Sequence, residues 1–173
     1  MGMNTEELDR YNLLLTTGGN RSALFADNPY ANSTEGLDYD IPGEALTDQK
    51  FANMINEAEK YLGYPYVWGG ASPSTSFDCS GFVSWVINHS GNGWNFGRLT
   101  ADGLKNKCTI IRKTEAKPGD LIFFQGTYNT KGASHVGIYV GNGMMLHCGN
   151  PIQYTSCETA YWQSHFYCYG RLP

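Results

Sequence analysis

Apolar side chains recur at helical spacing along one early stretch of the chain: Phe51, Met54, Ile55, Ala58, Tyr61 and Leu62. This predicts a helix over about 48–62, with Thr47 capping its start, Asp48 in its first turn and Gly63 closing it. A Gly- and Ser-rich loop, 64–77, leads to a second predicted helix over about 79–89. Phe82, Val83, Val86 and Ile87 form its inward face. The period then changes from about 3.6 to 2, and strands are predicted at 108–112, 120–124, 134–140, 144–148 and 166–171. Helices followed by a run of strands give an α+β domain with an antiparallel sheet. Residues 1–46 read differently. One short candidate helix at 5–15 is followed by a polar, turn-rich stretch, which predicts an arm or linker that contributes little to catalysis, ahead of one domain at 47–173.

The strand pattern locates two histidines. Residues 134–140 and 144–148 both alternate, and Gly141-Asn142-Gly143 lies between them. A three-residue loop pairs Val140 with Met144, Ile138 with Leu146 and Val136 with Cys148, so all six apolar side chains share one face. The other face then carries His135, Tyr139, Met145 and His147, with the two imidazoles diagonal to one another and able to hydrogen-bond. A two-residue loop would put the histidines on opposite faces and spoil the apolar match. His89 and His165 read as surface or capping residues.

A cysteine sits where such a pair is useful. Asp78 is a good N-cap, so Cys79 falls in the first turn of the second helix. Unsatisfied N–H groups and the helix dipole favour a thiolate there, while a carboxylate on Asp78 opposes it, so an imidazolium is needed nearby. Thiol, base and a third polar group holding the base are the parts of a cysteine nucleophile, with His135 as base and His147 as orienter. Upstream, the paired glycines of Tyr66-Val67-Trp68-Gly69-Gly70 let the backbone fold back over the helix start, which aims the Tyr66 hydroxyl at an oxyanion.

Composition narrows the partners. The chain has 173 residues, 12 basic and 16 acidic, with 21 Gly and 12 Tyr. A net charge of -4 excludes nucleic acid, whose phosphates require clustered Lys and Arg. No apolar run approaches the roughly 20 residues of a membrane span, and Glu6, Glu7 and Asp9 stand where a signal peptide would be basic. The low charge and abundant Gly and Tyr give an uncharged, hydrogen-bonding surface rather than an electrostatic one. The five cysteines lack the C-x-x-C spacing of a zinc site. They read either as five buried small hydrophobes or as one reactive thiol with up to two disulfides among the rest.

Taken together, Tyr66 to Gly70, Asp78-Cys79-Ser80-Gly81-Phe82-Val83, Lys117 to Phe124 and Ser134 to Tyr139 resemble the NlpC/P60 cell-wall cysteine peptidases. The resemblance covers about 51–172. It implies a permuted papain-like fold, with the nucleophile helix packed on an antiparallel sheet of about five strands. The residues themselves point to a metal-free site, since a metal would tie up the thiolate that must attack the carbonyl; no cofactor is expected, and the chain is expected to be a monomer. The activity implied is hydrolysis of peptidoglycan stem peptides outside the cell or in its wall, at the γ-D-glutamyl bond to the diamino acid. The alternative on the same scaffold is an N-acetylmuramoyl-L-alanine amidase or an acyltransferase. By resemblance Cys79, His135, His147 and Tyr66 are catalytic, and Asp78, Ser80 and Trp68 bind substrate. In relatives that need a free stem N-terminus, the residues at Asp78 and Ser80 meet its amine. The resemblance is nearest to hydrolases of conjugative elements, which pair this domain with a glycosidase behind a membrane anchor, so the chain reads as a possible fragment of an exported or anchored protein.

Overall fold

A computed structural model describes residues 36–173; the candidate helix at 5–15 lies outside the described residues. The first helix, α1 (Gln49–Ala58), continues as a 3₁₀ turn, Glu59–Tyr61. Asp48, rather than the expected Thr47, is its cap, accepting from the amides of Lys50 and Phe51. A two-residue hairpin, β1 (Ala71–Ser72) and β2 (Ser76–Phe77), leads into α2 (Cys79–His89), whose Phe82, Val83, Val86 and Ile87 are fully buried.

The remaining elements are α3 (Ala101–Lys107), β3 (Thr109–Ile111), β4 (Leu121–Gln125), β5 (Ala133–Gly141), β6 (Met144–Cys148), β7 (Ile152–Ser156), α4 (Ala160–His165) and β8 (Phe166–Arg171). The sheet is antiparallel throughout and has six strands, in the order β3-β8-β4-β5-β6-β7, where the sequence pattern gives about five. The added strand is β7. Helices α1 and α2 cover one face around a core that includes Phe51, Phe82, Leu121, Val136 and Leu146. Helix α4 covers a smaller apolar cluster on the other face, built on Ile122, Phe124, Met145 and Tyr169.

The end of the expected arm packs onto the domain. Leu37 is buried in the main core, the Tyr39 ring lies 5.2 Å from that of Tyr154, and the Gly36 carbonyl accepts from the Tyr154 amide.

The β5–β6 turn differs from the expected one. Gly141 pairs with Met144, so the loop is two residues, Asn142-Gly143, and the register shifts between Tyr139 and Gly141. Ile138 still pairs with Leu146, and Gly137 with His147. A two-residue turn suits the twist of the strands, and a bulge takes up the odd residue that would otherwise reverse every side chain. Both histidines therefore keep the expected face by a different route.

Candidate active site

Cys79 opens α2 at the floor of a cleft of about 390 Å³, and its residue is 7% exposed. Asp78 caps the helix by accepting from the Gly81 amide at 2.7 Å. Gly81 is needed because the loop before the helix crosses it closely: a Cβ there would stand 2.0 Å from the Gly70 carbonyl oxygen. That contact presses the 66–70 loop onto the start of the helix, and the Tyr66 amide donates to Asn150 Oδ1 on the far side. Tyr66 and Trp68 thereby line the same cleft as Cys79.

The thiol rests on β5. Its sulfur lies 3.9 Å from the Ser134 carbonyl oxygen and is also reached by the Val136 amide, so its backbone contacts flank His135 on either side. Burial, with the Asp78 charge second, pushes the thiol up to about 11, against the opposing pull of the Val136 and Ser80 amides and the Ser80 hydroxyl. Desolvation therefore outweighs the helix N-terminus here.

His135 and His147 lie on one sheet face, with His135 Nε2 2.8 Å from His147 Nδ1. The space between the strands is left by Gly137, where a Cβ would meet the His147 Cβ at 3.1 Å. His147 Nε2 is in turn 2.9 Å from Thr155 Oγ1 on β7. Trp162 of α4 stacks on the His135 ring at 5.0 Å and meets the His147 ring edge-on at 5.4 Å. This cover removes water, and burial lowers His135 to about 4. Burial lowers His147 well below the ordinary imidazole value, with His135 adding to the effect.

The carboxylate of Asp78 is heavily engaged. Arg98 Nη2 donates to both its oxygens, at 2.9 and 2.8 Å, and the Gly69 amide donates to Oδ2 at 3.0 Å. The Ser80 hydroxyl donates to Oδ1 and accepts from Arg98 Nη1. All five cysteines are free thiols. Cys148 is fully buried, with its thiol on the Phe77 carbonyl. His89 stacks on Trp85 at the end of α2, and His165 bonds the Gln125 carbonyl, both outside the cleft.

Thr155, Trp162 and Arg98 were not found from the sequence. Thr155 had a usable signal, because Ile152-Gln153-Tyr154-Thr155-Ser156 alternates like a strand. Trp162 and Arg98 lie on a six-residue helix and a loop, where periodicity carries no information.

The NlpC/P60 family model matches residues 63–171. The chain is 42% identical over 123 residues to the bifunctional muramidase/DL-endopeptidase CwlT of Bacillus subtilis, covering 70% of this chain and 36% of that protein. It is 38% identical to the murein DD-endopeptidase MepH of Escherichia coli, covering 65% of this chain and 42% of that one. Among solved structures, an NLP/P60-family lipoprotein-like protein of Staphylococcus aureus superposes with a TM-score of 0.68 at 38% identity, over 83% of this chain and 45% of that one. The chain thus spans less than half the length of these relatives. Its α+β architecture, with α2 laid across an antiparallel sheet, is the papain-like arrangement of their shared domain. The chain belongs to the NlpC/P60 family.

Proposed function

We propose that this domain is a cysteine peptidase that hydrolyses the stem peptides of bacterial peptidoglycan outside the cytoplasm, at the γ-D-glutamyl bond to the diamino acid. The observation that carries the reading is the buried row His135–His147–Thr155 beside the thiol-bearing helix start. His135 Nε2 is taken by His147, which leaves Nδ1 to serve Cys79. With the thiol near 11 and His135 near 4, the resting site holds neutral thiol and neutral imidazole at neutral pH, so His135 is a base.

The Cys79 proton passes to His135 Nδ1 as the sulfur attacks the scissile carbonyl carbon. His135 is then a cation whose Nε2–H donates to His147 Nδ1. That requires the His147 proton to sit on Nε2, where it donates to Thr155 Oγ1. The Tyr66 hydroxyl, held protonated because burial raises its pKa, and the Cys79 amide donate to the oxyanion. The C–N bond breaks as His135 returns the proton to the leaving amine. Water, deprotonated by His135, then adds to the thioester carbonyl; the C–S bond breaks, the acyl group leaves as a carboxylic acid, and the departing Cys79 thiolate regains its proton from His135. Asp78 and Ser80 shape the acyl-side wall, and Trp68 bounds its mouth.

Product analysis on purified muropeptides tests the reading. Disaccharide still carrying L-Ala-D-Glu is expected, and Cys79→Ala should give none. Sugar lacking L-Ala would establish amidase action instead.

A further inference from the structure

We propose that Trp68 and Tyr128 form a saccharide-stacking subsite at the mouth of the cleft, so that the domain takes stems still attached to glycan rather than free stem peptides. The inference rests on the peptidoglycan reading above and deepens it.

Three observations lead there. First, Trp68 is 70% exposed and Tyr128 47%, and both line the cleft that holds Cys79. Large aromatic rings left in water side by side mark an interaction site. Their centroids are 5.3 Å apart and their planes at 82°, an edge-to-face pair that fixes both rings while leaving ring face open to solvent. They come from two different loops, 64–70 and the β4–β5 connection. A pyranose ring presents an apolar C–H face with hydroxyls at its rim, which matches such a platform.

Second, the Asp78 carboxylate on the inner wall is already engaged. Asp78 accepts from Arg98 Nη2 at both oxygens, and from the Gly69 and Gly81 amides as well. An incoming ammonium would have to displace a guanidinium nitrogen that bridges both carboxylate oxygens and that is anchored by Nη1 to the Ser80 hydroxyl and the Leu99 carbonyl. A stem whose L-Ala nitrogen is an uncharged amide, as it is when joined to the sugar, meets no such conflict.

Third, the cleft of about 390 Å³ lies near the small end of ligand sites. A few stem residues fill it, and the next group on the acyl side must lie over the rim, where the two rings are.

The test compares three substrates: disaccharide-tetrapeptide, the same tetrapeptide with a free amine, and the tetrapeptide N-acetylated. The disaccharide form is expected to show about tenfold higher kcat/KM than the N-acetylated one, chiefly through KM. The free-amine stem should gain nothing over the N-acetylated one. In Trp68→Ala the disaccharide preference should collapse toward one, and Trp68→Phe should keep part of it. A free-amine preference, or a disaccharide preference that survives in both Trp68→Ala and Tyr128→Ala, overturns the proposal. Binding is read separately on the Cys79→Ala protein with peptide-free N-acetylglucosaminyl-N-acetylmuramic acid. The Trp68 indole NMR signal, assigned with Trp68→Phe, should shift at millimolar saccharide. An unshifted signal overturns the subsite even if stems are cleaved, whereas a shift without cleavage of any stem faults the peptidase reading alone.

Discussion

The β5–β6 hairpin buries both of its faces but uses burial in two ways. On one face Val136, Ile138, Leu146 and Cys148 are fully buried against α2 and the rest of the main core. On the other, His147 is 3% and His135 9% exposed beneath Trp162. The apolar face gains from every methylene removed from water. The polar face gains only where each buried nitrogen finds a partner, and it does so along His135, His147 and Thr155. The same dehydration that stabilises the first face depresses the imidazoles on the second. Substitutions on one face should therefore be read in stability, and on the other in rate.

The largest effect on rate should come from His135→Ala, a loss of about 10³–10⁴ in kcat in the folded fraction, with a lower melting temperature as well, because His147 Nδ1 loses its partner and Trp162 its stacked ring. His147→Ala should lose less, because it orients the base without accepting the thiol proton. If the two losses were reversed, the assignment of base and orienter would be wrong. On the apolar face, Leu146→Ala should destabilise by about 3 kcal/mol and lower the melting temperature by about 10 °C, while the folded fraction keeps a near-normal kcat. A severe kcat loss in the folded variant would show that the faces are not separable.

Thr155→Val should lower kcat a few-fold and alter the pH profile, with Thr155→Ser restoring both, since only the hydroxyl holds the His147 tautomer. An unaltered Val variant would remove Thr155 from the row.

A separate readout is stability against pH. An unfolded histidine takes up its proton near 6.5, whereas folded His135 resists until about 4, and His147 shifts in the same direction. The folded state thus binds fewer protons in that window, and stability should fall as pH drops from about 6.5 to 4. Urea midpoints at pH 7, 5 and 4 measure it, and His135→Gln should flatten the slope. A midpoint that rises on acidification would mean the imidazoles are charged in the fold.

Much of this contrast is legible in the chain. Alternation in 134–140 and 144–148 puts the histidines on one face, and Asp78 before an apolar helix puts Cys79 at its start, as the structure has them. What the pattern misses is short or compensated. Helix α3 has seven residues and α4 six, too few to stand without packing, so neither shows a period. The two-residue turn with its bulge gives the same facing as a three-residue loop, so facing alone cannot distinguish them.

The sequence by itself determined the start of α2, the faces of the hairpin and the identity of the chemical groups, because a cap before an apolar run and strand periodicity are local properties of the backbone. Only the tertiary structure decided the protonation of those groups and their outer partners. Burial beneath Trp162 sets the imidazoles neutral, Thr155 reaches His147 from a neighbouring strand, and Arg98 meets Asp78 across twenty residues of chain. Desolvation and long-range pairing depend on what other segments bring to the site, and no local pattern encodes that.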